Sequence, residues 1–414
     1  MDKTPKGMRL HIGIYGRRNA GKSSFLNALT GQQVAIVSEV AGTTTDPVEK
    51  TMELLPIGPV VLIDTAGLDD TGRLGGMRVD RTLKTLDKVE VAVLVAEGGN
   101  WDEFEEGLVR DFKERRIPVI VVFNKADLSV PGPGLTARLD AEMVPHIQTI
   151  ATRQSGIVEF KEKLISVLPE DYLNSQPVVG DLVRKGDVVI LVVPIDLEAP
   201  KGRIILPQVQ VIRDLLDHDC CAMVIKEDEL KSTIGNLKKK PALVVTDSQA
   251  FEKVSADTPR DVPLTSFSIL FARHKGDLAS FVEGARAIGD LKPGDKVLVA
   301  EACTHHPIGD DIGRTKIPAW LSRRAGGALD IKVTSGSDFP DDLSGYKLVV
   351  QCGSCTFNRK HVLSRVLKCR EAGVPITNYG LAIAYCLGIL DRAVEVFNTK
   401  ITVPSPSRFQ RIPR

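Results

Sequence analysis

The chain carries almost no net charge: 54 Lys and Arg stand against 53 Asp and Glu, which leaves +1 over 414 residues with histidine neutral. That removes the electrostatic footprint of a protein that works on nucleic acid or on an anionic membrane. Long apolar runs are missing too. None approaches the ~20 residues that cross a bilayer, and the opening MDKTPKGMRL is too polar for the hydrophobic part of a secretory signal. The expected location is therefore the cytoplasm, with no membrane and no nucleic-acid partner. Cysteine is scarce: seven residues, an odd number spread over a long chain, do not make the disulfide framework of a small secreted domain. Some of them are then expected to be metal ligands. Cys220 and Cys221 open the apolar run CCAMVI, which reads as a buried strand, so core packing is expected there. No internal repeat or low-complexity tract is apparent.

What the chain does have is alternation. From Leu10 to Leu168 the short β-branched runs LHIGIYG, VVLIDT, VAVLVA and PVIVVFN alternate with amphipathic stretches, the pattern of a mostly parallel sheet covered by helices. LPEDYLNSQP, residues 168–177, combines two prolines with turn formers and carries no period of its own, which suits an interdomain connection. A second α/β set follows, with DVVILVVPI, CCAMVI and PALVVTD as strands and ILPQVQVIRDLLDHD and DELKSTIGNL as helices. It has no phosphate loop, and a unit that folds and associates with a copy of itself is expected. A third unit starts with GDLASFVEGARAIGD, and its strand KVLVAEA delivers Cys303 at its carboxyl end, where ligands of open α/β sheets collect. The expected fold class is α/β, a P-loop domain over 1–172 followed by two smaller α/β domains over 177–264 and 265–414.

GRRNAGKS, Gly16 to Ser23, has the phosphate-loop spacing and lies between an apolar strand and the helical SFLNALTG, the context this motif requires. Its two glycines let the backbone curl so that amides face phosphates at a helix start. Gly16, Asn19, Ala20, Gly21, Lys22, Ser23 and Ser24 are the expected cradle; Lys22 reaches the β and γ phosphates and the Ser23 hydroxyl ligates Mg2+. LIDTAG ends a strand with Asp64, suited to hold magnesium through water, and Gly67, whose amide can touch the γ-phosphate. FNKAD ends another with Asn124, Lys125 and Asp127, where a carboxylate pairs with the N1 and N2 donors that only guanine presents together. GTTTD, Gly42 to Asp46, occupies the first switch, with Thr44 the hydroxyl ligand to magnesium. Together these make the first domain a GTPase that converts GTP to GDP and phosphate, with Lys22, Thr44 and Gly67 at the reacting phosphate.

These residues resemble the TrmE-Era-like class of translation-factor-related GTPases over roughly the first 170 positions. The resemblance implies that Asn19 helps to coordinate a potassium ion (K+) beside the phosphates. It places Leu68 where Ras-like enzymes carry the water-orienting glutamine, and a side chain without polar atoms cannot do that work. Slow hydrolysis is then expected unless potassium, an ordered switch or a partner supplies the missing stabilisation. GRLGGMRVD offers glycine near the place where a tRNA-modifying relative uses an acid, so no general base is assigned. The second base-contacting loop, IATRQSG, keeps Ala151 but has Ile150 where serine is usual.

Cys303 and CGSC, Cys352 to Cys355, are separated by 48 residues, with His305 and His306 close to the first. Cys-x-x-Cys places two thiolates on one turn, spaced for a single soft metal centre; the same spacing also serves a redox pair or two buried thiols. Three cysteines and a histidine suit zinc as well as an iron-sulfur cluster. CTHHPIGDDIGRTKIPAWL, the later CGSC and GVPITNYGLAIAYCLGIL resemble the carboxyl-terminal domain of the HydF family, the FeFe-hydrogenase maturation GTPases, and the order of the three domains fits that family end to end. The resemblance implies that Cys303, Cys352 and Cys355 bind a 4Fe-4S cluster and that the middle domain forms a homodimer. The family pattern has a second histidine where this chain has Gln351, which leaves the fourth iron to His305, to a carboxylate or to an exchangeable group. Asp310 and Asp311 are read as caps of the following turn, His306 as a supporting residue, and Cys369 and Cys386 as core. The implied function is a GTP-hydrolysing scaffold that receives a di-iron precursor from radical-SAM maturation enzymes and delivers it to apo FeFe-hydrogenase. The alternative is an RNA-modification or ribosome-assembly GTPase with a structural zinc domain and salt-dependent RNA affinity.

Overall fold

The computed structural model describes residues 6–31, 48–54, 57–65, 85–168, 176–194, 204–302, 312–336 and 338–397. It divides into two compact units, Met1–Ser175 and Gln176–Arg414. Among the described residues no helix is long and apolar enough to cross a membrane.

The first unit is built on six strands: β1 Leu10–Tyr15, β2 Val48–Leu54, β3 Gly58–Asp64, β4 Val91–Glu97, β5 Val119–Asn124 and β6 His146–Gln148, in the order β2-β3-β1-β4-β5-β6. All neighbours are parallel except β2 and β3. β1 and β5 are buried along their whole length and β4 along nearly all of it, because helices cover both faces, and a strand covered on both faces reads as a continuous β-branched run. On one face Phe25 of the helix Lys22–Thr30 meets Phe160, ring centroids 5.0 Å apart and edge to face, over Ile12 and Ile14. On the other, Phe112 of the helix Glu103–Glu114 packs on Tyr15, also at 5.0 Å. Tyr15 buries its hydroxyl against that of Thr85, 3.0 Å away, and burial pushes the phenol above its usual range. The edge strand β2, VEKTMEL, escapes a reading for apolar runs because it is mostly polar and only Leu54 is fully buried.

The second unit holds two four-stranded parallel sheets. One contains β7 Val188–Val192, β8 Cys221–Ile225, β9 Leu243–Thr246 and β10 Leu264–Ser266, in the order β10-β9-β7-β8. The other contains β11 Lys296–Glu301, β12 Asp330–Ser335, β13 Leu348–Gln351 and β14 Ile376–Asn378, in the order β12-β11-β13-β14. A single apolar core runs through both, from Val189 and Leu191 across Phe267 and Phe271 to Leu298, Val349 and Ile376.

Two expectations change here. The boundary drawn at 264/265 cuts β10, whose Leu264, Thr265 and Ser266 pair with Val244, Val245 and Thr246. This strand and the buried helix Phe267–Lys275 that follows it bridge the two sheets, so backbone pairing outweighs the change in local composition. CCAMVI is a strand but not a buried one. Cys220 just before it is in the core, whereas Cys221 is exposed and Val224 is 45% exposed, because β8 is the edge of its sheet. Of the expected connection at 168–177, residues 169–175 lie outside the described residues.

Candidate functional site

β1 lies between β3 and β4, so the chain leaves its carboxyl end where connections diverge to either side of the sheet, the place where open α/β sheets bind ligands. Gly16 comes next, at φ 139°, with Val95 of β4 so close that any Cβ would overlap its carbonyl oxygen. Gly21, at φ 90°, is blocked in the same way by the Asn124 side chain. Asn19 also adopts a left-handed conformation, φ 63°, which asparagine tolerates better than most residues. The helix Lys22–Thr30 begins at Gly21 without a side-chain cap, leaving its first N–H groups for an anion. Lys22 is buried and its Nζ donates to the carbonyls of Gly16 at 2.9 Å and Arg17 at 2.7 Å. The ammonium thus ties the helix start, where Ser23 and Ser24 follow and which Ala20 and Gly21 lead into, back to the beginning of the loop.

Asp64 ends β3, level with Ile14 of β1. Burial raises its carboxyl above the usual range, against the pull of Lys22 and Lys50, so a further cation at this point would be favoured electrostatically. Thr65 then fastens the chain to β1, its hydroxyl donating to the Ile14 carbonyl at 2.6 Å.

At the base end, Asn124 is a strut. Its Nδ2 donates to the Ala20 carbonyl at 3.2 Å, while its Oδ1 accepts from the Thr149 hydroxyl at 3.2 Å and the Ala151 N–H at 3.1 Å. One side chain therefore joins the phosphate loop to the loop at Ala151. Lys125, at φ 57°, pairs with Glu97 at 2.5 Å, and Asp127 is exposed at the rim. Thr44, Gly67 and Leu68 lie outside the described residues.

Sequence reasoning missed a second strut. Arg17, inside the phosphate loop, donates from Nε to Glu105 Oε1 at 2.7 Å, pairs also with Asp102, and lies 4.7 Å from the centre of the Phe104 ring. The Glu105 side chain is 1% exposed and its other oxygen accepts the Asp102 N–H at 3.1 Å, closing the capping box of the helix Glu103–Glu114. The arginine is thus inserted into a helix cap. Arg17→Ala strands a buried carboxylate and is expected to destabilise the first unit by about 3 kcal/mol. Urea unfolding followed through Trp101 in a Trp320→Phe background measures this; a change under about 0.5 kcal/mol, the range of an ordinary surface substitution, contradicts it.

The cysteine end stands on adjacent parallel strands, with Ala300 of β11 level with Gln351 of β13. The CGSC turn follows, with Ser354 at φ 50°. Cys352 donates its N–H to the Ala300 carbonyl at 3.0 Å, and its sulfur accepts the N–H groups of Ala302 at 3.1 Å and Ser354 at 3.4 Å. Burial raises the thiol above its usual range, and those two amides oppose the shift. Thr356 donates its hydroxyl to the Ala302 carbonyl at 3.4 Å, so the residue that precedes Cys303 is bonded to the turn on both sides. Cys303, His305, His306, Asp310 and Asp311 lie outside the described residues, among which no group of three or more His, Cys, Asp or Glu could hold a metal. The described share of the expected donor set is Cys352 and Cys355. Gln351 is 2% exposed and its Oε1 has no hydrogen-bond partner among the described residues. Cys369 is buried in the helix Arg359–Glu371 with its thiol pushed up to about 12, and Cys386 is half-buried with its thiol at about 11.

Lys275 also went unread. It is 3% exposed and its Nζ donates to the carbonyls of Ser354 at 3.2 Å, Cys355 at 3.1 Å and Phe357 at 2.8 Å. Burial lowers the ammonium to about 8, against the pull of Cys355 and Cys352. A signal existed in the sequence: Lys275 follows Phe267 and Phe271 at four-residue spacing, a lysine on the apolar stripe of its helix.

Three family models match the chain: a 50S ribosome-binding GTPase domain over residues 11–125, the hydrogen maturase F dimerization domain over 178–276 and the hydrogen maturase F tetramerization domain over 279–396. Curated relatives include the tRNA modification GTPase MnmE of Synechococcus sp. (strain JA-3-3Ab), 40% identical over 157 residues, which are 37% of this chain and 32% of that protein. GTPase Der of Wolinella succinogenes is 42% identical over 135 residues, 31% of this chain and 27% of that protein. The chain thus spans about a third of the length of these relatives. Among solved structures, Era of Aquifex aeolicus aligns with 79% of this chain and 92% of its own at 16% identity and a TM-score of 0.35. The phosphate loop falls in the GTPase match and both later sheets fall in the maturase matches; the chain belongs to the hydrogen maturase F family.

Proposed function

We propose that the chain is a GTP-hydrolysing scaffold of FeFe-hydrogenase maturation that binds a 4Fe-4S cluster through Cys303, Cys352 and Cys355, receives a di-iron precursor from radical-SAM maturation enzymes and delivers it to the apo-hydrogenase. One observation carries the cluster reading: the Cys352 sulfur accepts two backbone N–H groups, one of them from the residue next to Cys303. Such bonds favour a thiolate over a thiol, and two thiols on one turn suit iron in a sulfide cluster. When bound, the cluster would supply a one-electron couple and one iron not held by cysteine. Gln351, buried and carrying an amide in place of an imidazole, leaves that iron to His305, to a carboxylate or to an exchangeable ligand. Oxygen-free purification should yield roughly four irons and four sulfides per chain; zinc without iron would overturn this reading.

In the first unit Ser23 and Thr44 hold Mg2+, Asp64 supports it through water, Lys22 and the Gly67 amide meet the γ-phosphate, and Asp127 selects guanine. GTP hydrolysis acts as a switch by releasing the segments around Thr44 and Gly67. Asn19, already in a left-handed turn, faces K+. GTP turnover is expected to be faster in potassium than in sodium at equal ionic strength, and equal rates remove Asn19 from the scheme.

Self-association of the middle domain uses β8, an edge strand with Cys221 and Val224 exposed, together with Val209 and Leu216 on the helix Leu206–Asp217. An unpaired apolar edge is a template for a second copy. The scaffold is cytoplasmic. The RNA-modification alternative is disfavoured by the maturase matches over 178–396.

A further inference from the structure

Lys275 is a buried cation without a carboxylate. Its three ammonium hydrogens can all be satisfied by the carbonyls of Ser354, Cys355 and Phe357, but carbonyl dipoles do not cancel a full charge. Among the described residues no ion pair reaches it, and the groups beside it able to take up a negative charge, once ionised, are Cys355 and Cys352. The carboxyl end of its own helix, Phe267–Lys275, and the Phe271 ring, 5.5 Å from Nζ, supply partial compensation. A lysine used only to brace a turn would be an expensive choice, since a neutral donor could bond carbonyls without burying a charge. The excess positive charge instead suits a turn whose sulfurs become anionic when they hold a metal.

Resting on the cluster reading above, we infer that Lys275 is a positioning residue for the CGSC turn and the fixed counter-charge of an anionic iron-sulfur centre held there. Its three hydrogen bonds set the path of residues 354–357, and so the direction in which the Cys355 sulfur is presented. Its charge favours whichever state of the centre is more negative. A bound centre would supply a one-electron couple, the electron furnished by a donor such as dithionite that is itself oxidised by one. Lys275 would set a fixed positive charge beside the more negative of its two states.

The test uses the full chain, prepared without oxygen, as wild type, Lys275→Met and Lys275→Arg. Three quantities are read: iron per chain, the midpoint potential in a dithionite titration followed by electron paramagnetic resonance, and amide hydrogen exchange over residues 352–358 in metal-free protein. Lys275→Met is expected to titrate at a more negative potential and to exchange faster in the turn, with Lys275→Arg returning the potential toward wild type. Faster exchange with an unchanged potential would leave a brace only and overturn the counter-charge. Unchanged exchange would overturn the positioning role. If Lys275→Met holds no iron, recovery of iron by Lys275→Arg supports the inference, and loss in both variants with wild-type exchange elsewhere overturns it. Absence of iron from the wild type would instead sink the cluster reading, and turn exchange would then decide the positioning role alone.

Discussion

Lys22→Ala is expected to lower GTP turnover at saturating nucleotide by about 100- to 1,000-fold, the range seen when one preorganised donor to a developing anion is removed. The ammonium is buried and held by the Gly16 and Arg17 carbonyls, so it is already placed and needs little reorganisation to meet a phosphate. Its removal also cuts the bonds that draw the two ends of the loop together. Phosphate release measures the loss, and a melting curve unchanged in the first unit, which carries Lys22, separates it from unfolding. Turnover within about threefold of wild type would mean that this lysine only braces the loop.

Cys355→Ser is expected to lower iron from roughly four per chain to below about one, with Cys369→Ser as the matched control. Cys355 is the better probe of the pair. Cys352 also organises Ala302 and Ser354 through its sulfur, so its loss disturbs the turn as well as the ligand set. No hydrogen bond to the Cys355 sulfur holds the turn among the described residues, and its loss should be felt mainly by metal. Cys369 is buried with its thiol pushed up to about 12, which keeps it protonated and inert. Equal iron in the wild type and in Cys355→Ser would remove this cysteine from the site.

The phosphate loop, Asp64 and the Asn124 segment could be read from the sequence because each lies at the end of a strand buried on both faces, where unbroken apolar runs stop at a motif. β2 could not, since an edge strand with a mostly polar face has no such run. β8 was misjudged for the opposite reason: its residues are apolar, but the surface they meet is not supplied by the described part of this chain. Local composition also failed at β10, where Leu264–Ser266 belongs to one sheet by pairing and leads directly into the helix that joins it to the next. Arg17, Glu105 and Lys275 act through partners 79 to 88 positions away. Spacing along a chain carries no trace of such a bond. Only Lys275 left a hint, as a charge on an apolar stripe.

Asn124 makes the two halves of the nucleotide site one object. Its bonds to Ala20, Thr149 and Ala151 link the phosphate loop to the loop at Ala151 through protein groups alone. On the proposed assignment of these residues, a nucleotide would dock onto a frame already joined and lose little freedom in shaping it. Discrimination between purines should accordingly register in how tightly the triphosphate is held more than in how fast it reacts once bound.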